Sequence, residues 1–201
     1  MNNAIYSFRE PKNEPIFTYS PGTPERELLK NELELQNSRV IDIPLIIGGK
    51  EIRTGMTGKV VKPTDHSHVL ATYHMATEKE VNLAIESALA AKNDWMNLAW
   101  MERASIMIKT AELISKKYRY VLNAATMLGQ GKNVIQAEID AACETIDYLR
   151  FNAYFASIIY GEQPLSDKNS INRLEYRPLE GFIYTITPFN FTAIASNLNT
   201  S

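Results

Sequence analysis

Cysteine is nearly absent from the sequence, and long apolar runs are missing. The only cysteine is Cys143, so an internal disulfide framework is excluded, and such sparing use of thiols fits a reducing compartment. No apolar run approaches the roughly 18 residues that a membrane-spanning helix needs. The first dozen residues lack an apolar core and mix acidic with basic side chains, which matches neither a secretory signal nor a transit peptide. We therefore expect a cytoplasmic protein.

Charge of one sign is also scarce. The formal net charge of −2 gives no general attraction to nucleic acid or to an anionic membrane, so we expect neither as a partner. With 45% hydrophobic and 22% charged residues, the composition is that of an ordinary globular protein able to bury a core. A length of 201 residues allows one domain or parts of two.

The N-terminal part of the sequence predicts an arm, a helix and a hairpin. Residues 1–20 are rich in aromatics and interrupted by proline, which is typical of an extended arm lying across another surface. Thr23 as N-cap and Pro24 at the first helical position predict a helix that runs to about Gln36. Two glycines at 48–49, between short apolar runs, predict the turn of a β-hairpin.

A second group of patterns predicts one more strand and a series of helices. An extended run at 69–75 precedes Thr77 and Glu80, whose spacing is that of a capping box at a helix start. Further helices are predicted at 101–117, at 118–128 with Gly129 as the C-terminal cap, and at about 133–160. We expect the apolar face of the last helix to consist of Ile135, Ile139, Ala142, Cys143, Ile146 and Leu149.

The C-terminal part of the sequence predicts two strands and an exit from a sheet. Residues 173–177 favour a strand, and the apolar, β-branched run at 180–187 predicts a second, buried one. Pro188 has no N–H to donate and should end the ladder. Asn190 then lies where α/β proteins bind ligands, and its amide could stabilise a developing oxyanion. From the pattern alone, Asn190 could equally be a residue that tolerates turn geometry.

Besides an acidic stripe on the long helix, three other features could carry chemistry. His66, His68 and His74 lack a convincing fourth ligand, so we predict no metal site. Cys143 lies on an apolar helix face among acidic neighbours, which raise a thiol pKa, so we expect a core residue and not a nucleophile. The glycines at 129 and 131 lack the third glycine of a dinucleotide fingerprint.

An acidic stripe on the long helix leaves two interpretations open. Asp140, Glu144 and Asp147 recur at helical spacing. They could form a solvated face, or one carboxylate could receive the ammonium group of an amino-acid substrate.

Two sets of motifs resemble known families. Residues 186–191, Ile-Thr-Pro-Phe-Asn-Phe, resemble the Pro-aromatic-Asn motif of the aldehyde dehydrogenase superfamily. Residues 126–142 and 146–152 resemble the long helix of the Δ1-pyrroline-5-carboxylate dehydrogenase family, and residues 13–15, 20–26 and 177–182 resemble its N-terminal region. The likeness covers nearly the whole chain from Asn13 onward.

The resemblance implies a reaction and a fold. Members of that family oxidise L-glutamate γ-semialdehyde, formed by hydrolytic opening of pyrroline-5-carboxylate, to L-glutamate with NAD, the second step of proline degradation. A cysteine thiolate attacks the aldehyde and a glutamate activates the hydrolytic water. The implied fold is α/β and aldehyde-dehydrogenase-like, with an arm at 1–22, a helical and hairpin part at 23–180, and the start of a Rossmann-like NAD-binding domain at 181–201.

Site residues follow from the same resemblance. Asn190 matches the oxyanion donor of the family, while Ile186, Thr187 and Phe189 match residues beside the cofactor. Two more residues match the family's substrate site. Glu144 corresponds to a carboxylate near the substrate amino group, and Phe191 corresponds to a wall of the aldehyde pocket. The partners implied are a small-molecule substrate and, for a full-length enzyme, identical subunits.

One departure from the family pattern matters for activity. The family's nucleophilic cysteine and its base glutamate follow the Pro-Phe-Asn motif at a distance, whereas this sequence stops at Ser201. We therefore expect the N-terminal fragment of such an enzyme, inactive by itself. Two alternatives stay open: a non-catalytic 201-residue product that pairs with a full-length subunit, and a related aldehyde dehydrogenase with another substrate.

Overall fold

The computed structural model describes residues 8–197 and 199–201 and contains both helices and strands. The strands are β1 (Ile41–Ile43), β2 (Leu45–Ile47), β3 (Lys50–Ile52), β4 (Thr57–Lys62) and β5 (Asp65–His74). The α-helices are α1 (Pro24–Asn37), α2 (Glu78–Asn97), α3 (Trp100–Leu113), α4 (Arg119–Gln130), α5 (Val134–Ala137), α6 (Glu144–Gly161) and α7 (Ile194–Asn197). Two π-helical segments, Ile114–Tyr118 and Glu138–Cys143, connect α3 to α4 and α5 to α6.

The strands form two small sheets. In the three-stranded sheet, β5 lies between β1, which is parallel to it, and β4, which is antiparallel. The β2–β3 hairpin is the second sheet, and its turn residues Gly48 and Gly49 have φ of 57° and 75°, values that suit glycine at both positions of the turn. The predicted hairpin is thus confirmed. The predicted strand at 69–75 is present but begins earlier, at Asp65.

The first two helices begin where the sequence predicts. Pro24 opens α1, although the Thr23 hydroxyl donates to the Ser20 carbonyl at 2.8 Å and does not cap the helix. At the start of α2, the Glu80 carboxylate accepts a hydrogen bond from the Thr77 backbone N–H at 3.0 Å. The capping box is therefore confirmed, and it satisfies a backbone donor that the first helical turn leaves unpaired.

The end of α4 differs from the prediction by two residues. Gly129 lies within the helix, and Gly131 is the C-terminal cap, with φ of 65° and its N–H donating to the Met127 carbonyl at 3.1 Å. The choice of Gly129 was wrong because two glycines in this short span both suit a helix end, and only the path of the chain selects the left-handed one.

The long predicted helix is present, but its apolar face was predicted wrongly at the N-terminal end. Ile135 is exposed, whereas Ala137 and Glu138 are buried. From Ala142 onward the predicted buried positions are correct. The π-helical segment explains the change, because its wider turn alters the spacing at which residues return to the same face.

Neither of the two C-terminal strands forms. The described residues between the end of α6 and Pro188 contain no strand, and residues 181–190 are exposed. A strand needs hydrogen-bonding neighbours, and the described part of the chain pairs no segment with this one. The apolar composition was identified correctly, but the prediction of buried strands was wrong.

Two clusters of buried side chains hold the helices together. One lies between α3 and α6 and contains Ala111, Ile114, Ala142, Ile146 and Leu149. The other brings Tyr19, from the extended segment before α1, against Leu29 of α1 and Ala124 of α4. Residues 8–20 therefore run across the helices as an extended segment, which we call the arm.

Candidate functional site

Asn190 lies in a short turn that follows the extended residues 182–188. We call residues 189–192 the Asn190 turn. Its side-chain amide is exposed and makes no hydrogen bond within the described part of the chain. Both amide hydrogens are consequently available to an acceptor outside it, such as an oxyanion. The Asn190 backbone carbonyl, in contrast, accepts a hydrogen bond from Lys132 Nζ at 2.6 Å.

Three polar side chains at the end of α4 and just after it hold the Asn190 turn. The buried Thr126 hydroxyl bonds to the Thr192 hydroxyl, with 2.7 Å between the oxygens. Gln130 Nε2 donates to the Phe189 carbonyl at 3.4 Å. Lys132 provides the third contact, through the Asn190 carbonyl. The turn is therefore tied to α4 by two contacts and to the residue after the Gly131 cap by a third.

Lys132 has two further partners. Its ammonium group forms an ion pair with Asp140, in the π-helical segment, and lies 4.6 Å from the centre of the Phe191 ring. Both charged side chains are largely shielded, at 20% and 14% exposed. Poor access to water strengthens such an ion pair relative to one on an open surface.

Glu144 lies at the junction between the π-helical segment and α6, where it lines a pocket of about 390 Å³. Its carboxylate makes no hydrogen bond or ion pair with the described residues. The pocket has both acidic and aromatic walls. Its lining consists of Asn13, Glu144, Asp147, Tyr148, Phe151, Asn152 and Phe155. A carboxylate without a partner, beside aromatic rings, can receive an organic cation.

The other two residues of the acidic stripe already have partners. Asp140 pairs with Lys132. Asp147 accepts one hydrogen bond from Asn13 Nδ2 at 2.8 Å and one from the Glu14 backbone N–H at 2.7 Å. The stripe thus contains two carboxylates with structural partners and one, Glu144, that has no partner among the described residues.

A buried charged cluster fixes the arm beside this pocket. Glu138, which is fully buried, accepts hydrogen bonds from Arg119, from the Phe17 backbone N–H at 2.8 Å and from the Tyr19 hydroxyl at 2.6 Å. Glu14 on the arm pairs with Arg119 at 2.7 Å. Burial alone would raise the pKa of Glu138, but the hydrogen bonds and the charge of Arg119 outweigh it and lower that pKa.

Cys143 lies within this cluster and is not activated. It is a free, buried thiol, and Arg119 donates to its sulfur with an N–S distance of 3.3 Å. Burial, followed by the charge of Glu138, raises the pKa of the Cys143 thiol to about 12. A thiol with this pKa is protonated at neutral pH. The prediction that Cys143 is a core residue is confirmed.

The three positions predicted to lie beside a cofactor are on the surface. Ile186 is 78% exposed, Phe189 is 96% exposed, and Thr187 lies between them on extended backbone. Exposed apolar side chains of this kind are able to pack against a nicotinamide ring, but Thr187 and Phe189 line different cavities. Their place beside a cofactor stays a prediction, and the sequence holds no complete glycine fingerprint for the phosphates.

One of the three histidines considered as metal ligands, His74, has a partner within the fold. His74 accepts a hydrogen bond from the Gly55 N–H at 3.2 Å and lies 3.2 Å from Asp42 Oδ1. Within the described ranges, no group of three or more histidine, cysteine, aspartate or glutamate side chains could hold a metal ion. In the same ranges, no helix has the length and apolar character needed to cross a membrane.

The structure brings some candidate residues together and leaves others apart. Phe189, Asn190 and Phe191 share one turn, whereas Glu144 lines a separate pocket on α6. Sequence reasoning missed Lys132, which contacts Asn190, Phe191 and the acidic stripe. A lysine directly after the Gly131 cap was the available signal, but its partners are 8 and 58 residues away in sequence.

Comparisons with known proteins connect this geometry to a family. The sequence profile described as "Aldehyde dehydrogenase family" matches residues 52–200. The probable delta-1-pyrroline-5-carboxylate dehydrogenase of Schizosaccharomyces pombe is 52% identical over 189 residues, which are 93% of this chain and 34% of that protein. The mitochondrial delta-1-pyrroline-5-carboxylate dehydrogenase of Dictyostelium discoideum is 46% identical over 192 residues, which are 95% and 34% of the two proteins.

A solved structure matches equally well. The Delta-pyrroline-5-carboxylate dehydrogenase of Mycobacterium tuberculosis, crystallised with NAD, is similar over 99% of this chain and 37% of its own, with a TM-score of 0.96 and 46% identity. This chain thus spans about a third of the length of the curated relatives that it matches.

Proposed function

Since this chain belongs to the aldehyde dehydrogenase family, we propose that the complete protein oxidises L-glutamate γ-semialdehyde to L-glutamate with NAD. The observation that carries the proposal is the likeness, over almost the whole chain, to an NAD-bound enzyme named for pyrroline-5-carboxylate. The semialdehyde is the open form of that compound, and its oxidation is the second step of proline degradation.

Asn190 is the oxyanion donor in this proposal. Addition of a nucleophile to the aldehyde carbon places negative charge on the aldehyde oxygen. The exposed Asn190 amide can donate to that oxygen, and the contacts of the Asn190 turn hold the residue in place beforehand. Such a prearranged donor stabilises the transition state without having to reorganise during the reaction. The nucleophile is not Cys143, because that thiol is buried and protonated.

Glu144 and Phe191 determine the substrate. Glutamate semialdehyde carries an ammonium group and a carboxylate in addition to its aldehyde. The unpaired Glu144 carboxylate is a suitable partner for the ammonium group, and the aromatic lining of its pocket favours a cation further. Phe191 forms an apolar wall beside the aldehyde and is itself fixed by Lys132.

Ile186, Thr187 and Phe189 form one wall of the cofactor site. When bound, NAD supplies the hydride acceptor. The side chains and peptide groups of these three residues would contact the nicotinamide end of NAD.

The substrate assignment is tested with Glu144→Gln in the complete protein. This variant keeps the shape of the side chain and removes its charge. We expect KM for Δ1-pyrroline-5-carboxylate to rise about tenfold or more, because a charge-assisted hydrogen bond is lost, while kcat/KM for an uncharged aliphatic aldehyde changes less than about twofold. Steady-state NADH formation with each substrate provides the measurement.

A matched control is Glu162→Gln, at the exposed end of α6. This variant should behave as the unmodified protein with both substrates. Equal losses on both substrates in Glu144→Gln would assign Glu144 a structural role. Absence of NADH formation from pyrroline-5-carboxylate in the unmodified protein would overturn the proposed activity itself.

The proposal extends to assembly and compartment. Identical subunits are the expected partners, supported by the family membership, and sedimentation of the complete protein would show whether it forms an oligomer. The cytoplasm is the proposed compartment, supported by the single cysteine, which fits a reducing environment. The Dictyostelium relative is named as mitochondrial. Cell fractionation would distinguish a cytoplasmic from a mitochondrial location.

A further inference from the structure

Lys132 joins the Asn190 turn to the acidic stripe through contacts with Asn190, Phe191 and Asp140. Its ammonium group has three N–H donors. One donates to the Asn190 carbonyl at 2.6 Å, and another is directed at the Asp140 carboxylate. The same nitrogen lies 4.6 Å from the centre of the Phe191 ring. A single cation thereby contacts both a proposed catalytic residue and the aromatic residue that follows it.

We propose that Lys132 is a positioning residue for the oxyanion donor, with Asp140 holding it in place. This inference rests on the proposed function, since it assigns to Lys132 a task within that reaction. Lys132 itself is not proposed to touch the substrate. It fixes the backbone of Asn190 and the ring of Phe191, so that the exposed Asn190 amide keeps one orientation.

The geometry explains why a lysine is needed at this position. The Asn190 carbonyl accepts its hydrogen bond from Lys132, and the ring of the next residue, Phe191, lies beside the same ammonium group. The hydrogen bond from Gln130 Nε2 to the Phe189 carbonyl is long, at 3.4 Å. The Thr126–Thr192 bond holds a residue two positions after the asparagine. Among the contacts of the turn with the described residues, only the Lys132 bond reaches Asn190 itself.

Asp140 supplies the second half of the arrangement. One of its carboxylate oxygens pairs with Lys132, while the other is buried without a hydrogen-bond partner in the described part of the chain. A shielded carboxylate with a single cationic partner constrains that partner strongly, because no competing donor satisfies it. Loss of Asp140 should therefore release Lys132 and weaken the hold on Asn190 indirectly.

The first experiment compares Lys132→Met, Lys132→Arg and Asp140→Asn with the unmodified complete protein. Methionine keeps much of the apolar stem but not the charge, whereas arginine keeps a cationic donor. Because misplacing a catalytic group by about 1 Å can cost up to 10²-fold in rate, we expect kcat on pyrroline-5-carboxylate to fall about tenfold or more in Lys132→Met and to recover partly in Lys132→Arg. Asp140→Asn should show an intermediate loss, and the Kd for NAD should change less than about twofold.

A double-variant cycle distinguishes positioning of Asn190 from a general structural effect. If Lys132 acts through Asn190, then adding Lys132→Met to Asn190→Ala should lower kcat little further. Full additivity of the two losses would overturn the inference. Lys116→Met is the matched control, since Lys116 forms an exposed helical ion pair with Glu112 and should leave kcat unchanged.

Hydrogen exchange gives a readout that does not depend on catalysis. Peptides covering residues 186–195 should exchange faster in Lys132→Met and unchanged in Lys116→Met. Equal exchange in all three proteins would overturn the anchoring by Lys132, whatever the activities are. A normal kcat in Lys132→Met, beside an active unmodified protein, would overturn the inference alone, whereas an inactive unmodified protein would overturn the proposed function.

Discussion

Side-chain environment separates the acidic and nucleophilic residues of this chain into distinct roles. Among the described residues, Glu144 has no hydrogen-bond or ion-pair partner, while Asp140 and Asp147, in the same stripe, are bonded to Lys132 and to the arm. Residue type and spacing do not distinguish the three carboxylates. Their neighbours do, and those neighbours lie in parts of the sequence that helical periodicity does not connect.

Cys143 allows a direct test at this scale. Because its pKa is raised to about 12, the thiolate is rare at pH 8, and burial blocks access as well. We expect alkylation of Cys143 in the folded protein to be at least ~10-fold slower than in the denatured protein, as measured by peptide mass spectrometry. The variant Cys143→Ala should retain kcat within about twofold. Fast native labelling, or loss of activity on that substitution, would contradict the structural role.

The residue-scale predictions show what a sequence can and cannot supply. The burial of Cys143 followed from its position on an apolar face, whereas the role of Asn190, inferred from its local motif, stays a prediction. Lys132 was missed because its importance comes from contacts with Asn190 and Phe191, which are remote in sequence. Gly131 was missed for a related reason, since the handedness of a cap is decided by the onward path of the chain.

Among the elements, the arm is held to the helices largely by charged groups, although its sequence is rich in aromatic residues. Its Glu14 pairs with Arg119 and Arg150, and its backbone donates to Glu138. Although burial acts to raise the pKa of Glu14, hydrogen bonds from Ser115 and Arg150 lower it below its ordinary value of 4.5. The pKa of Glu138 is lowered as well. Docking of the arm is therefore linked to deprotonation of both groups.

The direction of this linkage predicts a response to acid. A carboxylate whose pKa is lower in the folded state stabilises that state above its unfolded pKa, and this stabilisation is lost as the pH falls through the folded pKa. We expect the protection of peptides 8–20 against hydrogen exchange, corrected for intrinsic rates, to decrease below about pH 4.5. Glu14→Gln should show a smaller decrease, and peptides from α3 serve as the internal control. Equal arm protection at pH 7 and pH 4 would contradict the charged docking.

Prediction of the elements succeeded where local signals were strong. The Gly48–Gly49 turn and the Thr77–Glu80 capping box each combine a specific residue type with a specific spacing, and both are present. The prediction of strands at 173–177 and 180–187 was wrong, since strand formation depends on neighbours that local composition does not reveal. The prediction of the long helix's apolar face was wrong at Ile135, because no sequence signal indicated the π-helical segment.

For the whole molecule, the α/β, aldehyde-dehydrogenase-like fold predicted from the Pro-Phe-Asn motif and the long helix is confirmed by the profile match and by the M. tuberculosis structure. Lys132 connects the Asn190 turn to Asp140 of the acidic stripe, while the Glu144 pocket lies apart on α6. How the three divisions at 1–22, 23–180 and 181–201 correspond to domains stays a prediction.

The most direct test of the account is the kcat of Asn190→Ala, relative to the unmodified complete protein, for pyrroline-5-carboxylate with NAD. The unmodified protein should form NADH and glutamate in equal amounts. Removing the oxyanion donor should lower kcat about 10²-fold or more, with little change in Kd for NAD. A kcat within a few-fold of the unmodified protein would remove Asn190 from the chemistry and contradict the account.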